Sequence, residues 1–115
     1  MVQEYYGAAS RAAQRELGGI FVPRESVLAV DLATVPVVGY NADRIGLVVM
    51  NIGTTNITLR TTSPITLGQG ILLLGNGAQM TLNWHDDVDI VAQPWYAIGD
   101  IAAGSLFVFE MVRAF

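Results

Sequence analysis

Residues 44–62 read Arg44-Ile-Gly-Leu-Val-Val-Met-Asn-Ile-Gly-Thr-Thr-Asn-Ile-Thr-Leu-Arg-Thr-Thr62. Ile45–Asn51 and Asn56–Thr62 are short runs rich in β-branched residues, and the Asn51-Ile-Gly-Thr-Thr between them carries residues that turn a chain. In the second run Ile57 and Leu59 alternate with Thr58 and Arg60, the period of a strand with one wet face. The pair is expected to form a β-hairpin. Similar runs lie on both sides: Val27–Asp31, Val35–Tyr40, Gly70–Leu74, Gln79–Trp84, Val88–Ala92, Trp95–Ile98 and Ser105–Arg113. Gly, Asn, Pro and Asp separate them. Pro36 and Pro94 place their strands at an edge or at a strand start. Eight or nine strands at this spacing predict an all-β, jelly-roll-like sandwich.

Ser105–Arg113 departs from simple alternation. Leu106, Val108 and Val112 fall on one face, and Phe107, Phe109 and Met111 on the other. A strand apolar on both faces is covered on both faces. One cover is the sandwich core. The other must come from an arm, a loop or another subunit. Leu106, Phe107, Val108, Phe109 and Met111 are therefore the candidate oligomer interface, with a homotrimer expected.

The first nineteen residues have a different character. Glu4–Leu17 is rich in Ala, Arg, Gln and Glu, which favour helix. Tyr5, Ala9, Ala12, Ala13 and Leu17 fall near one face, and Gly18-Gly19 stops the helix. This divides the chain into an arm, 1–19, and a sandwich, 20–115. In the arm Tyr5 and Leu17 are candidate buried anchors, and Arg11 and Arg15 candidate partners for carboxylates. A frayed or disordered terminus is the alternative reading.

Apolar residues make up 52% of the 115-residue chain and charged residues 14%. Typical domains carry about 25% charged residues, so this surface calls for cover by partners. The cations are six arginines, scattered at 11, 15, 24, 44, 60 and 113, and the formal net charge is −4. Phosphate neutralisation needs clustered cations, so nucleic acid is not an expected partner. No apolar run approaches the roughly 18–20 residues that span a bilayer, and the first residues do not read as a signal peptide. There is no cysteine, which removes disulfides and thiolate chemistry.

The one histidine, His85, lies in Asn83-Trp-His-Asp-Asp-Val-Asp89. A zinc site needs three or four nitrogen or sulfur ligands. Asp86, Asp87 and Asp89 are calcium-type donors, but they lack the glycine and closing glutamate of an EF-hand loop. An acidic turn whose carboxylates satisfy nearby backbone is the expected reading, with no metal and no cofactor. No serine sits in a nucleophile elbow, and the glycines join strands instead of opening a helix around phosphate. No catalytic residue is assigned, and the chain is expected not to be an enzyme. Trp84, Trp95 and Tyr96 could serve as core, as a subunit contact or as a sugar-stacking platform.

Two stretches resemble a known group. One is Arg44–Thr58, a strand, an Asn-x-Gly turn and a second strand. The other is Trp95-Tyr-Ala-Ile-Gly-Asp-Ile-Ala-Ala-Gly-Ser-Leu-Phe-Val-Phe-Glu110. Together they resemble small structural proteins of tailed phages and related viruses, across roughly residues 35–113. That resemblance implies a capsid decoration or cement protein of jelly-roll type, commonly trimeric and without catalytic residues. Its partners would be the major capsid protein or neighbouring shell subunits. Its place would be the capsid surface of the virion, after synthesis in the host cytoplasm. No host-capsid docking motif and no receptor-binding tip is recognisable. The alternatives are a carbohydrate- or receptor-binding head built on Trp84, Trp95 and Tyr96, and a minor structural subunit of a cellular assembly.

Overall fold

The computed structural model describes residues 15–114. Its strands are β1 (Phe21–Val30), β2 (Val35–Val38), β3 (Arg44–Asn51), β4 (Ile57–Arg60), β5 (Ile71–Leu73), β6 (Gln79–Asn83), β7 (Trp95–Gly99) and β8 (Gly104–Arg113). They form two antiparallel four-stranded sheets, ordered β1-β8-β3-β6 and β2-β7-β4-β5. The pairings β1 with β8, β2 with β7, β3 with β6 and β4 with β5 are those of one long hairpin, with β4-β5 at its head. Rolling that hairpin places alternate pairs in opposite sheets. This is the jelly roll.

Residues 44–62 are therefore not a hairpin. β3 and β4 lie in different sheets, and the loop 52–56 crosses between them. The cause is side-chain chemistry at Asn51, which is fully buried. Its Nδ2 donates to the carbonyls of Thr55 (2.7 Å) and Leu73 (3.0 Å), and its Oδ1 accepts from the Gly53 N–H (3.1 Å). Leu73 belongs to the opposite sheet, so this amide draws the chain across.

Val88–Ala92, expected as a strand, is a 3-10 helix that follows a helical turn, Trp84–Asp87. Asn83 caps the turn: its Oδ1 accepts from the Asp86 N–H (2.9 Å), and Asp87 Oδ2 accepts from the Asn83 N–H (2.9 Å). Asp disfavours strand and favours this reciprocal cap. Val88 ends the turn at φ 51°, a conformation foreign to β structure and strained for a β-branched residue. Val91 and Ala92 then bury beneath the sandwich.

The core lies between the sheets. Val30, Leu47, Val49, Leu106 and Val108 come from one sheet, and Ile57, Leu59, Leu73, Trp95 and Ala97 from the other. Arg44 is 3% exposed at the base of this core. Its Nε donates to Glu110 Oε1 at 2.8 Å, Nη1 to the carbonyls of Val91 (3.1 Å) and Gln93 (3.2 Å), and Nη2 to Gly39 O (2.6 Å). One guanidinium thus ties β3 and β8 to the segments that follow β2 and precede β7.

Arg44→Met should strand the Glu110 carboxylate and three carbonyls, at a cost of about 3–5 kcal/mol. Urea unfolding measures it. The double variant Arg44→Met/Glu110→Leu should regain a large part of that loss. A single variant within about 0.5 kcal/mol of the parent protein would show that the clamp is dispensable.

Candidate functional site: an aliphatic tip and an apolar sheet face

The four loops 31–34, 52–56, 74–78 and 100–103 meet at one end of the sandwich, as the register dictates. Val30 pairs with Gly104, Asn51 with Leu106, Met50 with Gln79, and Ile57 with both Leu73 and Gly99. Each loop exposes one large aliphatic side chain at this tip: Leu32 (60%), Ile52 (48%), Leu74 (55%) and Ile101 (63%).

Hydrogen bonds weld these loops together. Asp31 accepts from the Gly99 N–H through its carbonyl (2.9 Å) and from the Ala103 N–H through Oδ1 (2.8 Å). The Asn56 N–H donates to Asp100 Oδ1 (3.1 Å), and Asn56 Oδ1 accepts from the Gly75 N–H (3.1 Å). The Asn76 N–H donates to Gly53 O at 2.8 Å. Gly75 is required here, because a Cβ would fall 2.5 Å from Thr54 O. The aliphatic groups therefore stand on a stiff platform, which lowers the ordering cost of any contact they make. Asp31 and Asp100 are the charged residues of these loops. Arg24, Arg44, Arg60 and Arg113 all lie in the half of the sandwich away from the tip.

The second surface is the outer face of the β1-β8-β3-β6 sheet, where a central apolar group is flanked by Glu25 on β1 and by Gln79 and Thr81 on β6. Strand β8 resolves into its two faces. Leu106 and Val108 are 0% and 1% exposed in the core, so they are not available to a partner. That part of the expected oligomer interface is corrected. Phe107, Phe109 and Met111 are half-buried on the outer face, beside Val27 on β1 and Val48 and Met50 on β3.

The three aromatics do not make a platform. Trp95 is 4% exposed and packs in the core, where no ring face is free for a sugar. Tyr96, its neighbour along β7, alternates to the outer face of the other sheet. Trp84 starts the helical turn at the base and lies against His85, ring centroids 4.4 Å apart. Buried apolar and exposed apolar aromatics look alike in sequence, and only sheet register separates them.

Of the expected arm contacts, Tyr5 and Arg11 lie outside the described residues. Arg15 is exposed. Leu17 is half-buried in a cleft of about 190 Å³ lined also by Ala42, Ile45, Trp84 and Val88. Asp86 and Asp87 each use one carboxylate oxygen on Asn83: Asp87 Oδ2 accepts from its N–H (2.9 Å) and Asp86 Oδ2 from its Nδ2 (3.1 Å). Among the described residues no three His, Asp or Glu side chains converge as a metal site would require. The sequence reading missed the aliphatic tip. The signal was present, since Leu32, Ile52, Leu74 and Ile101 each sit inside a turn, but adjacency needs the topology.

Comparison with protein families, curated proteins and solved structures finds no match to this chain.

Because Asp86 and Asp87 are engaged with Asn83 at the capped turn, chelator treatment should leave the melting temperature unchanged. A fall of many degrees with EDTA, restored by calcium, would show instead that the carboxylates hold an ion.

Proposed function

We propose that this chain is a structural subunit of a virus particle, a decoration or cement protein that binds an assembled capsid lattice and stiffens it. Its binding energy would come from apolar burial at protein contacts and not from chemistry at an active site. The observation that carries this reading is the rigid tip, where four turns each expose an aliphatic side chain in a chain with only 14% charged residues. Exposed apolar clusters of this kind mark protein contacts. The jelly roll suits the reading, since capsid proteins use it, but so do lectins and cupins, and a fold alone does not assign function. The resemblance of Arg44–Thr58 and Trp95–Glu110 to small phage structural proteins supplies the narrower choice.

The tip is also the surface through which copies would associate. A Leu or Ile buried fully in such a contact is worth about 1.5–3 kcal/mol. The carbohydrate-binding alternative loses its main support with Trp95 in the core.

Light scattering of the purified chain at micromolar concentration is expected to give a homotrimer mass. The double variant Leu32→Ser/Ile101→Ser should shift that mass to monomer while leaving the melting temperature within a few degrees, because both side chains are exposed. The same variant should lose binding to any shell that co-purifies with the protein. A parent protein that is monomeric and sediments apart from shells would sink the assembly reading.

A further inference from the structure

The tip loop 74–78 contains Asn76-Gly77, and of the five asparagines in the chain this is the one followed by glycine. Such a pair can react with itself. The backbone nitrogen of the second residue attacks the side-chain carbonyl carbon of the first, and glycine leaves the approach open because it has no Cβ. Both residues are exposed, so water reaches them. The Asn76 carboxamide makes no hydrogen bond among the described residues.

The attacking nitrogen, by contrast, is engaged. The Gly77 N–H donates to the carbonyl of Asn51 at 2.8 Å, and Asn51 is fully buried. The loop is held on both sides of that bond. The Asn51 N–H donates to Ala78 O (2.8 Å), the Asn76 N–H to Gly53 O (2.8 Å) and the Gly75 N–H to Asn56 Oδ1 (3.1 Å). Asn76 at φ 65° and Gly77 at φ 106° take the left-handed conformations that these two residue types tolerate in a turn. Ring closure requires the Gly77 nitrogen to lose its proton and to swing toward the Asn76 side chain. Neither happens while that proton is held by Asn51 O.

We propose that Asn76 is a deamidation site gated by the tip, closed while the loop is docked and reactive when it lifts from the end of β3. The reaction consumes only water. On opening, the Gly77 nitrogen gives its proton to solvent and bonds to Asn76 Cγ. The Cγ–Nδ2 bond breaks, ammonia leaves, and a cyclic imide remains. Water then cleaves the imide at one of its two carbonyls. One cleavage restores the ordinary backbone with an aspartate side chain. The other routes the backbone through the former side chain as isoaspartate, which adds one methylene between residues 76 and 77.

The effect on the tip follows from the same hydrogen bonds. Gly75 and Asn76 are tied to Asn56 and Gly53, whereas Gly77 and Ala78 are tied to Asn51. A backbone atom inserted between 76 and 77 puts the two sets out of register. Either product also adds a carboxylate to a tip that already carries Asp31 and Asp100, and like charges repel. The loop bearing Leu74 then loosens from the loop bearing Ile52. This chemistry belongs to the chain itself and stands whether or not the tip binds a shell.

The full chain is incubated at mildly alkaline pH, folded in one sample and unfolded in guanidinium chloride in the other. Mass spectrometry of digests, with aspartate and isoaspartate peptides separated, follows conversion. In the unfolded sample Asn76 should convert ahead of Asn41, Asn51, Asn56 and Asn83. In the folded sample its conversion should be slower by roughly tenfold or more, in step with protection of the Gly77 amide from hydrogen exchange. Asn56→Ala removes the tie to Gly75 and should speed Gly77 exchange and Asn76 conversion together. Should that variant not fold, the folded and unfolded parent samples decide the question alone. The purified isoaspartate form should exchange faster than the parent at amides 52–56 and 74–78, with β1 and β8 unchanged. Conversion as fast in the folded chain as in the unfolded one would overturn the gate. So would faster Gly77 exchange in Asn56→Ala without faster conversion, or another asparagine reacting first in the unfolded chain. An isoaspartate form with parent-like exchange at the tip would overturn the loosening.

Discussion

The buried guanidinium of Arg44 holds the two sheets in their relative positions. An arginine 3% exposed is expensive unless every N–H finds an acceptor. Here the acceptors are one carboxylate on β8 and three carbonyls on the strand ends and on the 3-10 helix at the base. Those carbonyls belong to irregular backbone that would otherwise be buried without partners. The ion pair and the chain path are therefore mutually dependent: the helix at Val88–Ala92 supplies acceptors for Arg44, and Arg44 makes that path tolerable. Asn51 plays the matching part at the other end of β3, reaching Leu73 O in the opposite sheet. A single strand thus carries a polar bridge at each end, with Leu47 and Val49 packed between.

This arrangement uses polar groups for architecture. Asp31, Asn56 and Asp100 hold tip loops, Asn83, Asp86 and Asp87 cap one turn, and Asp43 braces Arg113. Each is a residue type that sequence reading inspects first for catalysis or metal binding. Their hydrogen bonds are local and go mostly to backbone, which is the pattern of turn chemistry. Exposed charged residues such as Arg24 and Glu25, Arg60, and Asp89 lie at scattered places along the chain, whereas the exposed aliphatic groups Leu32, Ile52, Leu74 and Ile101 gather at the tip.

The strands, the sandwich and the two-faced character of β8 were legible in the sequence, because period-two patterning is local. Ile57 and Leu59 do turn inward, as their alternation with Thr58 and Arg60 requires. The partner of each strand was not legible. Nothing in Asn51-Ile-Gly-Thr-Thr distinguishes a hairpin from a crossing loop until the Asn51 amide is seen to find Leu73, which is distant in sequence. Val88–Ala92 failed for a related reason. Its apolar content suits a strand, but the capped turn before it and the Arg44 side chain decide its backbone. The role of Trp95 depended on which face of β7 points inward, and a five-residue strand with Tyr96 and Ile98 on the other face does not declare that alone.

A chain this poor in charge must dispose of apolar surface in more than one way, and the jelly roll separates the ways in space. Core residues of β8 are sealed by the opposite sheet. The outer residues of the same strand lie where the chain arrives from its N-terminus, next to the Arg113 clamp on Leu17 and Gly18. The tip lies at the far end of the strands, and its loops are tightly tied to one another by hydrogen bonds. Leu32, Ile52, Leu74 and Ile101 stand exposed on the loops that those bonds hold. A surface held this way would lose little conformational freedom in any contact it made, which is the physical basis on which the proposed partner-binding role rests.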